Sequence, residues 1–115
     1  MMKTISTEKL KSKLDQGHPI ALLDVRGDED FDKEHLPGAM SAPLGYIGEG
    51  IACCLVKGAE IIVYCGNTEC TASEEGVKRL HGMGFTNVMR YTDGIKGWKD
   101  AGLPTMIMQM KRKAA

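Results

Sequence analysis

No stretch of the 115 residues is apolar for long enough to cross a membrane. A span needs about 18 such residues, and the longest runs are Ile51–Val56 and Ile61–Tyr64. Excess charge of one sign is lacking too. Lysine plus arginine and aspartate plus glutamate each number 15, so the formal net charge is zero and nothing attracts nucleic acid or an anionic membrane. The one basic cluster, Lys111-Arg112-Lys113, reads as a solvated tail. Met1-Met2-Lys3-Thr4 meets charge at once and has no signal-peptide core, so a cytoplasmic location is the expectation. A reducing compartment keeps Cys53, Cys54, Cys65 and Cys70 as thiols rather than structural disulfides. The four also lack the closely spaced pairs of a zinc site, so no metal is expected.

Strand and helix signals alternate along the chain. Ser6 is placed to cap a helix running to about Gln16 and ending at Gly17, with Leu10 and Leu14 on one face. Ala21–Val25 is a short apolar strand between Pro19 and Gly27, and Asp28–His35 has room for one or two helical turns before Pro37-Gly38. Gly38–Ala42 is a weak strand. Leu44–Val56 is read as a helix opposed by Gly45, Gly48 and Gly50. Glu60–Cys65 is the strongest strand, and its unbroken apolarity suits a strand covered on both faces. A helix follows over about Ala72–Gly82, with Ala72, Gly76 and Leu80 on one face and Val77 beside them. Asn87–Tyr91 is a further strand, and Ile95–Ala101 a short helix stopped by Gly102 and Pro104. The pattern predicts an α/β fold with a mainly parallel sheet. The length fits one domain, its core over about residues 5–104 and residues 105–115 an edge strand or tail.

Cys65 ends the strongest strand, and the next helix starts about six residues later. Ligands of open α/β folds bind beyond the carboxyl ends of strands. A helix N-terminus there favours a thiolate or bound anion, and the short loop Gly66-Asn67-Thr68-Glu69-Cys70-Thr71 is able to turn successive N–H groups toward one sulfur. On position alone, Cys65 is equally a reactive thiol and a core residue.

The chain resembles the rhodanese-like domains over most of its length. Leu22-Leu23-Asp24-Val25-Arg26, Asp30-Phe31 and His35-Leu36-Pro37-Gly38-Ala39 match that family's first signature. Ile62-Val63-Tyr64-Cys65 matches its active-site strand. Gly84-Phe85-Thr86-Asn87-Val88, Asp93-Gly94, Trp98, Gly102 and Pro104 match its C-terminal signature. The resemblance implies a five-stranded, mainly parallel sheet with helices on both faces. It implies sulfurtransferase activity: Cys65 carries a sulfane sulfur as a persulfide, taken from a small-molecule donor and passed to a thiol or protein acceptor. The backbone of Gly66, Asn67, Thr68, Glu69, Cys70 and Thr71 then cradles the sulfur, with Asp24 and Arg26 in support and no metal or organic cofactor. Two features depart from the pattern. The loop carries Glu69 where many thiosulfate-using relatives have a cation, which disfavours an anionic donor. It also carries Cys70, a second thiol five residues after the first.

Several readings compete with that one. A thiol–disulfide switch would use Cys65 and Cys70. An interaction module would need no chemistry, but such modules usually lose the loop cysteine that this chain keeps. A phosphatase or arsenate reductase is close to excluded, because Thr71 stands where the oxyanion-clamping arginine belongs and the first arginine after Cys65 is Arg79. Arg26 is spaced to pair with Asp30 across a helical turn, and Asp24 either packs structurally or bonds loop amides. His35 is expected to bond backbone at a turn, and His18 and His81 to lie at the surface. Cys53 and Cys54 point about 100° apart on a helix, so one of them is assigned to the core. Met106, Met108 and Met110 alternate as one face of an extended tail, a better reading than a copper(I) ligand set.

Overall fold

The computed structural model describes residues 2–48 and 55–107. Cys53, Cys54, Gly50, Met108, Met110 and the basic cluster at 111–113 lie outside the described residues. In chain order the elements are β1 (Thr4–Ile5), α1 (Thr7–Asp15), β2 (Ala21–Asp24), α2 (Asp28–Lys33), β3 (Met40–Ser41), a 3₁₀ turn (Leu44–Tyr46), β4 (Ile61–Tyr64), α3 (Ala72–Gly82), β5 (Val88–Tyr91) and α4 (Gly94–Asp100). The strands form one sheet in the order β1-β5-β4-β2-β3, every neighbouring pair parallel. The α/β pattern read from the sequence and the five-stranded sheet that the resemblance implies both form.

The interior strand β4 is buried at every position, as its unbroken apolarity requires. Its side chains alternate between two cores. Ile61, Val63 and Cys65 face α3, with Leu23, Val25, Val77, Leu80, Phe85 and Val88. Ile62 and Tyr64 face the other way, onto Leu10 of α1 and Ile95 and Trp98 of α4. Two-residue periodicity thus fixes Cys65 on the α3 side of the sheet. That helix lies close because of Gly76, where an added Cβ would come within 3.2 Å of both Ile47 Cδ1 and Val63 Cγ1.

Ser6 caps α1 as expected, accepting from the Lys9 N–H at 3.2 Å. Two expectations need correcting, and one element was not foreseen. Of the helix assigned to Leu44–Val56, the described part holds a 3₁₀ turn at Leu44–Tyr46, where Gly45 opposes α-helix, and no helix over 55–56; residues 49–54 lie outside the described residues. The buried face of α3 includes Ser73, while Ala72 is only half-buried. Strand β1, two residues at the sheet edge, is too short to carry a periodic signal. Beyond α4, Met106 pairs with His35 in an isolated antiparallel bridge, and the Trp98 indole N–H donates to the Pro104 carbonyl at 2.8 Å.

Candidate active site

Cys65 is a free thiol, only 1% exposed. Its Sγ lies 3.5 Å from the Cys70 carbonyl oxygen, to which it donates, and 3.4 Å from Ser73 Oγ. Ser73 is the second residue of α3, so it brings both its hydroxyl and its backbone N–H to the sulfur. The Ser73 oxygen accepts from Arg90 Nε at 2.8 Å, leaving its one hydrogen for a thiolate at Cys65. Arg90 comes from β5, and its Nη2 also donates to the Cys70 carbonyl at 2.9 Å. One guanidinium therefore ties the sheet, the helix start and the loop together.

The loop does not spend its amides as the sequence suggested. Asn67 Oδ1 accepts from the N–H of Glu69 at 2.9 Å and of Cys70 at 3.1 Å, a side chain standing in for a backbone turn. Those two amides serve the loop's own shape, not the Cys65 sulfur. The N–H groups of Gly66 and Ala72 instead meet the Cys70 sulfur. Thr68, Glu69 and Thr71 are exposed.

The two thiols differ in acidity. Burial pushes the Cys65 thiol up, and its contact with Cys70 adds to the shift, outweighing help from Ser73. Burial also raises Cys70, but hydrogen bonds from the Cys65 thiol and from the Ala72 and Gly66 amides outweigh it, aided by Arg90. The net direction for Cys70 is downward. The half-buried Cys70 is the thiolate-prone member of the pair, and it faces Cys65.

The far side of the loop is pinned by α4. The carbonyls of Cys65 and Gly66 accept from the N–H groups of Ile95 at 3.0 Å and Lys96 at 2.9 Å. A pocket of about 470 Å³ opens between Asn67, Thr68 and Glu69 on one wall and Asp93, Lys96, Gly97 and Asp100 on the other. Its one cation, Lys96, is paired with Asp100 at 2.8 Å, so with Glu69 and Asp93 the cleft is acidic.

Asp24 and Arg26 stand away from the sulfur. Asp24 pairs in register with Tyr64 and so shares its face, opposite to that of Cys65. Its carboxylate accepts from the Arg26 N–H at 3.0 Å, from the Arg26 guanidinium at 2.7–3.1 Å and from the Tyr64 hydroxyl at 2.9 Å. Among the described residues no amide of the Gly66–Thr71 loop is bonded there. The pairing of Arg26 with Asp30 is corrected as well: the guanidinium takes Asp24 as its ion partner and reaches Asp30 only at its carbonyl, 3.4 Å away, with a second carbonyl contact to Glu34 at 2.5 Å. Side chains two residues apart meet here because the chain bends at Arg26, just past the end of β2, where helical spacing does not apply. His35 bonds backbone as expected, its Nδ1 lying 2.8 Å from the Phe31 carbonyl oxygen, and stacks on the Phe31 ring. His18 and His81 are exposed.

Sequence reasoning missed Ser73 and Arg90. Both left a signal. Ser73 is a polar residue on the inward face of an amphipathic helix, and Arg90 is a charge on the α3-facing parity of an interior strand.

A family model, the Rhodanese-like domain, matches residues 6–101. The chain is 33% identical over 94 residues to a putative sulfur carrier protein, YrkF, of Bacillus subtilis, covering 82% of this chain and 49% of that protein. It is 32% identical over 107 residues to a probable adenylyltransferase/sulfurtransferase, MoeZ, of Mycobacterium tuberculosis, covering 91% of this chain and 26% of that one. The chain thus spans half or less of these relatives' lengths. A solution structure of the rhodanese-like domain from the Alr3790 protein of Anabaena superposes with a TM-score of 0.82 at 32% identity, covering 95% of this chain and 83% of that one.

Proposed function

The chain belongs to the rhodanese-like domain family, and from that premise we propose that it is a sulfurtransferase working through a persulfide on Cys65. The observation that carries this reading is the setting of the thiol. Cys65 ends β4 against the start of α3, with the Ser73 hydroxyl and amide and the Cys70 sulfur around it. Relatives named as a sulfur carrier and a sulfurtransferase support the same chemistry.

In the resting site Cys65 is protonated, because burial disfavours its anion. The neighbouring Cys70 sulfur, the more acidic of the two, takes up the Cys65 proton as a donor enters. The Cys65 thiolate then attacks the outer, sulfane sulfur of the donor, whose remaining fragment departs with the electron pair of the broken S–S bond. The persulfide that results extends beyond Cys65 Sγ. An acceptor thiolate attacks its outer sulfur, takes that sulfur away and returns Cys65 to its starting state. The acidic cleft beside the loop favours donors less anionic than thiosulfate, such as an organic persulfide. Both cysteines must be reduced to work in this way, which suits the reducing interior of a cell.

Mass spectrometry tests the reading. The chain is incubated with thiosulfate, inorganic polysulfide or glutathione persulfide, freed of donor and digested. A gain of one sulfur mapping to Cys65, absent from Cys65→Ser, is the expected result. Activity that persists in Cys65→Ser with any of these donors would refute it.

A further inference from the structure

Cys70 is more than a wall of the site. Its carbonyl lies 3.5 Å from Cys65 Sγ, so bonded geometry holds its Cα within about 6 Å of that sulfur. The Asn67 turn bends the loop back, and Arg90 Nη2 fixes the Cys70 carbonyl over Cys65 from the side of the sheet. The two thiols touch electrostatically, and both are free. The backbone amides of Gly66 and of Ala72, at the start of α3, help to draw the Cys70 thiol downward in pKa. A second thiol held in this way, against the first, has a chemical use that sulfur carriage alone does not need.

We propose that Cys70 is a resolving thiol, which discharges a persulfide on Cys65 as hydrosulfide and leaves a Cys65–Cys70 disulfide. The inference rests on the persulfide reading above. In this step the Cys70 thiolate attacks Cys65 Sγ in line with the persulfide bond. The Cys65–Cys70 S–S bond forms as the bond to the outer sulfur breaks, and hydrosulfide leaves with that electron pair. The outer sulfur is reduced to sulfide and the two cysteines are oxidised to the disulfide, so no external oxidant enters. A thiol or dithiol reductant then restores the pair. The Gly66 and Ala72 amides hold the attacking sulfur as a thiolate, and the Arg90 fork keeps the loop closed over Cys65. The loop would thereby send sulfur to one of two fates: transfer when an acceptor reaches the persulfide first, or sulfide release when none does.

The experiment loads the intact chain with inorganic polysulfide, removes the donor, and follows the protein without any acceptor. Sulfide is measured with a trapping bimane, and the chain by non-reducing mass spectrometry. The wild type is expected to release one sulfide for each persulfide and to finish two hydrogens lighter than the reduced chain, with a Cys65–Cys70 linked peptide. Dithiothreitol should reverse the link. Cys70→Ser and Cys70→Ala, once loaded, should keep the added sulfur on Cys65 and release none over the same interval. A wild-type persulfide that lasts as long as theirs would overturn the step while leaving the persulfide reading intact. Sulfide released without the linked peptide, or added sulfur found on Cys70, would overturn it as well. Should no chain gain sulfur at Cys65, both readings fall together. The wild-type peptide decides the matter even if neither variant folds.

Discussion

Gly94 is the position where fold and site depend on the same atom. It opens α4 with φ +66°, a left-handed conformation that costs an L-residue about 1–2 kcal/mol. A Cβ there would also lie 2.5 Å from the Cys65 carbonyl oxygen, 2.8 Å from the Asn67 nitrogen and 2.8 Å from the Gly66 carbonyl carbon. All three are backbone atoms, and none moves without the loop. Overpacking of this kind costs about 1–3 kcal/mol. Gly94→Ala should therefore destabilise by about 2–5 kcal/mol, which a domain of ordinary stability, about 5–15 kcal/mol, survives. Gly102 supplies the control. Its φ is +76° but nothing lies within 4 Å of its added Cβ, so Gly102→Ala should cost only the conformational part, about 1–2 kcal/mol. Urea unfolding of both variants isolates the clash as the difference between them. Displacing the loop would also pull the Cys65 and Gly66 carbonyls off the Ile95 and Lys96 amides, so sulfur loading of folded Gly94→Ala should fall. Equal costs for the two variants, within about 0.5 kcal/mol, would refute the reasoning.

Three further outcomes are expected. Tyr64→Phe removes the donor to Asp24 and the acceptor for the Leu36 N–H, both buried, and should cost about 1–3 kcal/mol in urea unfolding with little effect on the alkylation of Cys65. Iodoacetamide should label Cys70 ahead of Cys65 at neutral pH, with a midpoint below the usual thiol range. Because the Cys65 thiol is one of the donors lowering Cys70, Cys65→Ser should shift that midpoint upward; a midpoint that stays put would mean the two sulfurs do not interact. Glu69→Lys should lower the KM for thiosulfate by relieving the acidic cleft, with a gain that shrinks as salt rises, since exposed charge is screened over about 8–10 Å. A gain indifferent to salt would contradict that cause.

The alternation of strands and helices was legible because each element is held by strong local signals. The unbroken run Ile61–Tyr64 can only be an interior strand, and Ser6 and Gly17 bracket α1 by capping and by a left-handed turn. What stayed illegible depends on tertiary placement. The two-residue strand β1 has no period to read. At Leu44–Tyr46 the apolar side chains suggest an α-helix, yet with Gly45 among them the described residues form only a 3₁₀ turn. Within the site, position alone marked Cys65 but could not say which amides turn where. The Asn67 side chain decides that, by taking the N–H groups of Glu69 and Cys70 and leaving those of Gly66 and Ala72 for the Cys70 sulfur.

The parity of the strands explains how a small domain keeps a rigid ion pair and a reactive sulfur so close in sequence without mixing them. Tyr64 and Cys65 are adjacent, so they must point to opposite faces. Tyr64 carries the Asp24–Arg26 network on the side of α1 and α4, where the carboxylate is fully covered and its charge is met by a guanidinium fork. Removing either partner of such a pair is costly, which makes that face a fixed support for the strand end. Cys65 emerges on the other face, where the charged group is Arg90 and its donors go to Ser73 and to the loop carbonyl instead of to a carboxylate. A carboxylate at Arg90 would have neutralised that cation. Among the described residues no carboxylate bonds Arg90, whose charge instead helps to lower the Cys70 thiol, and one sheet thereby gives its two faces separate tasks.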